Sequence, residues 1–149
     1  MMNMANEIMA VSMILTAILA TLISLNYLLA IIGSYKLFRK AGEKGWKAII
    51  PILNDYTRYK LYANNELFLS FLVATMASNL IADGNKLLMF LSFLASIIVF
   101  VISFKMHLGM ARSHGRDVGM AILLTLLPGI GYMILGFDKS EYTKIETKA

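Results

Sequence analysis

A long apolar stretch from residue 8 to residue 32 constrains this chain more than any other feature. Its only polar members are small or uncharged, and as a helix it can cross the roughly 30 Å hydrocarbon core of a bilayer. A cleaved signal peptide is the competing interpretation, but Glu7 stands where a basic segment is expected and the stretch is too long. The stretch therefore predicts a membrane-spanning helix. Hydrophobic residues make up 58% of the chain, which agrees with burial in lipid.

Three further apolar runs predict three further spans. A turn sequence, Asp83-Gly84-Asn85-Lys86, separates the second run from the third, and a single helix through both would carry charges at the bilayer centre. Pro128 lies inside the last run and predicts a bend near its middle. The predicted fold is an all-α membrane protein of one domain with four transmembrane helices and a polar tail. The spans are 8–32, 67–81, 87–104 and 118–137, and the tail is 138–149.

The distribution of basic residues predicts the orientation. Ten of the 14 lysines and arginines fall in the two connections 33–66 and 105–117, and such connections face the cytoplasm. With four spans, the N- and C-termini would then both lie outside. The predicted location is the bacterial cytoplasmic (inner) membrane, with a multi-pass topology.

The segment 41–62 between the first two spans is too short in its apolar part to cross a bilayer. Its large apolar residues share one helical face: Trp46, Ile49, Ile50 and Leu53. This spacing predicts an amphipathic segment in the membrane interface, and Pro51 would break that helix or start a second one. The alternative is a re-entrant segment that presents Asn54 and Asp55 to a substrate.

Two kinds of polar residue are expected to hold the helices together. Asn26 and Asn79 are the strongest hydrogen-bonding side chains within the spans, and each predicts a bond to a neighbouring helix. Asp55 or Asp117 could also pair with an arginine and join the two basic connections.

A zinc site is the metal hypothesis that the sequence offers. His107 and His114 are seven residues apart and would share a helical face, with Asp117 close behind. Histidines beside lysines and arginines are more typical of the headgroup region, so we predict no metal and no cofactor.

The most distinctive pattern covers residues 41–54, with weaker patterns before the last span and after it. The residues are Ala41, Gly42, Gly45, Trp46, Pro51 and Asn54, then Ala111, His114, Gly115 and Arg116, then Gly136, Phe137, Asp138 and Tyr142. Over about residues 30 to 142 the chain resembles an uncharacterised family of small bacterial multi-span membrane proteins. In some members the module precedes a signal peptidase I domain, which implies a setting of export or envelope assembly. The resemblance implies no catalytic residues.

We therefore predict a non-enzymatic accessory, scaffolding or binding subunit in an envelope, export or immunity process. The alternatives are a small transporter or channel subunit, which predicts a polar path between helices, and, less favoured, a membrane enzyme. The expected partners are membrane lipids and another membrane protein or a second copy, whereas no nucleic-acid motif accompanies the basic residues. The predicted contact residues are Trp46, Pro51, Asn54, Asp55, Arg58, Arg112 and Arg116.

Overall fold

The computed structural model describes residues 4–79 and 85–144, and over these residues the chain is helical without strands. The elements are α1 (Met4–Lys40), a 3-10 turn (Gly45–Ala48), α2 (Pro51–Tyr62), α3 (Asn65–Asn79), α4 (Lys86–Ser113), α5 (Val118–Leu126) and α6 (Pro128–Phe137). The predicted all-α class is thus confirmed for the described residues. The turn around Asp83, the end of the predicted span 67–81 and tail residues 145–149 lie outside them.

Two of the helices, α1 and α4, are long and apolar enough to cross a membrane. Both extend past their predicted spans toward the basic connections, so that α1 ends at Lys40 and α4 ends at Ser113. Helix α3, which includes most of the predicted second span, has 15 described residues and is about 22 Å long, which is shorter than the hydrocarbon core.

Local sequence explains where the helices begin and end. Asn85 and Asp117 are the N-caps of α4 and α5, and each side chain accepts a backbone N–H from the first turn. Gly42 and Gly115 follow α1 and α4 with φ of 76° and 68°, a conformation that favours glycine. Pro51 is the first residue of α2, so it starts a second helix, which is one of the two predicted outcomes.

The predicted bent span over 118–137 is wrong, because the chain reverses direction within it. Pro128 cannot continue α5, and Leu127 before it takes an extended conformation (φ −133°, ψ 68°). The two halves then pack side by side. Arg116, just before α5, donates to Asp138, just after α6, at 2.7 Å. Helices α5 and α6 therefore form an antiparallel hairpin.

The hairpin returns to the end of the bundle where α1 finishes, because α6 runs parallel to α1. The Asn26 Oδ1 accepts the Gly129 N–H at 2.9 Å, and further along the Lys40 Nζ lies 2.9 Å from the Asp138 Oδ1. Asn26 precedes Lys36, a residue of the basic end, by about ten residues of helix. This distance is roughly 15 Å, or half the thickness of a bilayer core. The prediction that the segment after the last helix lies opposite the basic connections is therefore wrong.

The two asparagine predictions have different outcomes. Asn26 makes the expected bond to another helix, where it replaces the missing side-chain cap at the start of α6. Asn79 instead donates to the Thr75 carbonyl within its own helix.

The protein core is concentrated at the basic end of the bundle. We call this end the basic cap; it comprises residues 33–62, 105–117 and 131–144. Its most buried large side chains are Leu37, Phe38, Tyr59, Met110, Tyr132 and Leu135. By contrast, the described side chains of α1 up to Leu25 are exposed although most are apolar, a pattern typical of a helix surrounded by lipid.

Candidate functional site

The basic cap contains a guanidinium group that joins two helices. Arg58 of α2 donates through Nη1 to the hydroxyl of Tyr132 on α6, and through Nη2 to the Asp55 Oδ1 at 2.7 Å. Its guanidinium carbon also lies 5.2 Å from the centroid of the Tyr132 ring. Burial raises the pKa of Asp55 although Arg58 opposes this effect.

The hydrogen bonds continue from Tyr132 into α4 and α5. The Tyr132 hydroxyl lies 2.7 Å from His107 Nε2, and His107 Nδ1 lies 3.0 Å from Thr125 Oγ1. The Thr125 hydroxyl donates to the Ala121 carbonyl at 2.8 Å. We call the four side chains Arg58, Tyr132, His107 and Thr125 the Arg58–Thr125 chain. It connects α2, α6, α4 and α5 in that order.

The chemistry of its first member assigns the donors along this chain. Arginine can only donate, so the Tyr132 oxygen accepts from Arg58 and its O–H is free to donate to His107 Nε2. That places the imidazole proton on Nδ1, from which it is donated to Thr125, and Thr125 donates onward to a carbonyl. A neutral His107 therefore satisfies the hydroxyl groups of Tyr132 and Thr125 and both of its own ring nitrogens.

A second cluster surrounds Asp138 at the end of α6. The Lys40 Nζ donates to the Asp138 carboxylate at 2.9 Å. It also donates to the Leu135 carbonyl at 2.7 Å and so caps the C-terminal end of α6. Arg116 binds the other carboxylate oxygen, and Ser140 donates to the first one. Burial raises the pKa of Asp138, but the bonds from Ser140, Lys40 and Arg116 outweigh it and hold that pKa below its usual range.

The segment after α6 packs against the cap through Tyr142. Its hydroxyl donates to the Leu61 carbonyl at 3.0 Å, and its ring lies 5.8 Å from Tyr62 and 6.0 Å from His114, centroid to centroid. The backbone N–H of Thr143 donates to the Ser113 carbonyl at 2.8 Å. These contacts fix residues 138–143 beside the ends of α2 and α4.

The structure separates the predicted contact residues into two groups. Asn54, Asp55, Arg58 and Arg116 make contacts within the cap; Asn54, for instance, is buried and donates to the Ala48 carbonyl at 3.0 Å. Pro51 is exposed at the start of α2. Asp55 pairs with Arg58 on its own helix, and Asp117 caps α5, so neither aspartate joins the two connections. Trp46, 48% exposed, and Arg112 remain on the surface.

The three residues of the zinc hypothesis are not brought together. His107 belongs to the Arg58–Thr125 chain, whereas His114 Nδ1 lies 3.0 Å from the Met110 carbonyl. The expected shared face with Asp117 is wrong because α4 ends at Ser113 and the chain turns at Gly115. Among residues 4–79 and 85–144, no group of three possible metal-binding side chains is found.

Sequence reasoning missed Tyr132 and Thr125 as members of the site. Tyr132 is the one tyrosine of the last apolar run, and a tyrosine placed there has a hydroxyl that needs a partner. Asp138 belongs to the pattern after the last span, but nothing in the sequence indicates that it pairs with Lys40.

Comparison with known proteins gives one match. A family model described as "Family of unknown function (DUF5684)" matches residues 46–145, which cover most of the segment 41–62, the Arg58–Thr125 chain and Asp138. No curated protein and no solved structure matches the chain. The match covers more than half of the 149 residues, so the resemblance to an uncharacterised family is confirmed. The chain belongs to this family of unknown function, DUF5684.

Proposed function

We propose that this protein is a multi-pass protein of the bacterial cytoplasmic membrane, with α1, α3 and α4 crossing and the α5–α6 hairpin re-entrant. The support is geometric: the hairpin is attached to α1 from Asn26 to Lys40, and its halves of nine and ten residues are each about half a bilayer long. The excess of lysine and arginine at the cap supports a cytoplasmic position for the cap in this proposal. Residues 138–144 are then cytoplasmic, and the start of α1 is outside.

Its role in this proposal is that of a non-enzymatic accessory or scaffolding subunit that binds through the cap. One observation carries the proposal: the partly buried charged groups of the cap are bonded to one another, as Lys40 is to Asp138 and Arg58 to Asp55, while Trp46 stays half exposed on a rigid support. Gly45 beside it packs under the Tyr35 ring, where an added Cβ would come within 2.7 Å of a ring carbon. An exposed tryptophan on a fixed backbone suits contact with a partner membrane protein at the headgroup level. The resemblance favours export or envelope assembly as the process.

Trp46 and Arg112 are expected to affect partner binding without affecting folding. Trp46→Ala and Arg112→Ala should accumulate in the membrane within about 20% of the native level, because surface substitutions usually change stability by less than about 0.5 kcal/mol. Asn54→Ala, the control, should accumulate less because it removes a buried bond to Ala48. Quantitative blotting of membrane fractions measures all three.

Photo-crosslinking in cells tests the contact itself. A photoreactive residue at position 46 or 112 should give a discrete protein adduct, and one at Ile97, an exposed residue of α4, should not. The adduct formed from position 112 should disappear in the Trp46→Ala background. Adducts with lipid alone at both positions, in a protein of normal abundance, would contradict the proposed role and reduce Trp46 to a membrane anchor.

A small transporter or channel subunit is the second candidate, and the Arg58–Thr125 chain is the observation that favours it. The chain gives a polar connection between the cap and the re-entrant hairpin. Discontinuous helices at the midplane are also typical of transporters. Purified protein in liposomes loaded with a pH-sensitive dye should then pass protons faster than empty liposomes, and Arg58→Ala should abolish the difference.

A further inference from the structure

His107 is held at the junction of three other helices with both ring nitrogens engaged. Nε2 accepts from Tyr132 of α6, and Nδ1–H donates to Thr125 of α5. Arg58 of α2 bonds the same Tyr132 oxygen from the other side. The imidazole thus hydrogen-bonds α4 to both halves of the hairpin.

Among the charged and titratable groups around His107, the positive charge of Arg58 is the dominant one. From α2 these are Arg58, with Asp55 bonded to it, and Tyr59; from α6 the group is Tyr132. Helix α5 has no titratable side chain, and Glu66, the one titratable residue described in α3, is exposed in the first turn of that helix. A positive charge on His107 would therefore face Arg58 across the Tyr132 hydroxyl.

A second proton on the imidazole is incompatible with the observed bonds. Protonated Nε2 carries an N–H, so it can no longer accept the Tyr132 O–H, and that hydrogen loses its acceptor. The imidazolium would also stand one hydroxyl group away from the Arg58 guanidinium, in a site with little water to screen the repulsion. Proton uptake from water thus requires the bond between Tyr132 and His107 to break.

We propose that His107 is a proton-binding site, and that a proton bound there releases the α5–α6 hairpin from α4. Helix α5 joins α6 through the single residue Leu127, and α6 is bonded to α1 through Asn26 and Lys40, so release from α4 is a movement of α5 about Leu127 while α6 stays in place. A response to acid is not part of the proposed scaffolding role. It holds whatever partner the cap binds.

The size of the response follows from linkage. A free imidazole has a pKa of about 6.5, and the docked ring accepts no second proton. Lowering the pH from 7.5 to 5 should therefore favour the released hairpin by about 30-fold. Two carboxylates of the cap, Glu43 and Asp138, stay ionised over this range. The bonds from Lys47 and Lys60 lower the pKa of Glu43 to about 2, and Asp138 also has a lowered pKa.

The test measures how often a buried position of the hairpin becomes accessible. The chain has no cysteine, so Leu124→Cys places a single thiol at a site that is 0% exposed, and Lys44→Cys places one on the cap surface. Both are labelled with a small methanethiosulfonate reagent in liposomes at pH 7.5 and pH 5. Dividing the labelling rate at position 124 by the labelling rate at position 44 removes the effect of pH on thiol reactivity. This ratio should rise by about 30-fold on acidification.

Matched variants identify the group responsible. His107→Gln should remove the rise, whereas His114→Gln, which changes the other histidine, should keep it. Asp55→Asn should also keep it, which separates His107 from the carboxylate that faces Arg58. A rise that persists in His107→Gln, or that disappears in Asp55→Asn, overturns the proposal. So does a native ratio that is the same at both pH values, and this result needs no variant of His107 to fold.

Discussion

Replacing Gly33 with alanine is expected to separate α1 from the hairpin. An added Cβ would lie 2.4 Å from the backbone carbonyl carbon of Tyr132, a contact that no side-chain movement can relieve. Gly136 faces the same crossing, where its Cβ would lie 2.9 Å from the Gly33 carbonyl oxygen. Moving the helices apart would stretch the bonds of Lys40 and Asn26 to α6, so the loss of stability should be on the order of 3 kcal/mol.

Thermal unfolding of the purified protein in detergent measures this effect, and Gly119→Ala is its matched control. A Cβ at Gly119 would lie 3.3 Å from the Asp117 carboxylate oxygen, which is the end of a side chain, and alanine favours the helix. Gly119→Ala should therefore unfold within about 0.5 kcal/mol of the native protein. Equal stability of the two variants would show that α6 does not cross α1 at Gly33.

Replacing Arg58 with alanine should destabilise the cap by a similar amount. The change leaves the Tyr132 oxygen without its charged donor and leaves Asp55 partly buried without its cation. Removing one partner of a buried charged network typically costs about 3 kcal/mol or more. Arg58→Lys should recover only part of this, because an ammonium group is a point charge and cannot bond Tyr132 and Asp55 with the geometry of a guanidinium.

Lys60→Ala is the control for this second experiment. Lys60 is on the same helix and pairs with Glu43, but its side chain is 48% exposed, so its loss should cost less than about 1 kcal/mol. The free energy of unfolding in guanidinium chloride, measured in mixed micelles, compares the variants. If Arg58→Ala is no less stable than Lys60→Ala, the Arg58–Thr125 chain does not hold the cap together.

Sequence patterns could predict the helical class and the common location of the basic residues. Apolar runs of this length require internally bonded backbone, and lysine and arginine cannot be placed in lipid at low cost. Asn26 could also be predicted, because an amide within an apolar helix needs a polar partner. These arguments depend on composition and local geometry alone.

The reversal at Leu127 could not be predicted in this way. A run of twenty apolar residues with Pro128 inside it fits a bent span and a re-entrant hairpin equally well. Contacts far apart in sequence decide between them: Gly33 allows α6 to approach α1, and Asp138 meets Lys40 and Arg116 at the basic end. The role of Arg58 could not be predicted either. Nothing in the sequence indicates that Arg58 meets Tyr132, so the sequence alone favoured a contact with a partner protein.

The position of residues 138–144 relative to the membrane tests the central claim most directly. The chain has no cysteine, so a single cysteine can be introduced at one exposed position at a time. The positions are Glu7 in the first turn of α1, Lys44 in the cap and Glu141 after α6. A membrane-impermeant thiol reagent is added to intact cells before and after permeabilisation. Glu7→Cys should react in intact cells, and Lys44→Cys and Glu141→Cys should react only after permeabilisation. Reaction of Glu141→Cys in intact cells, with Lys44→Cys still protected, would contradict the re-entrant hairpin and restore a fourth span.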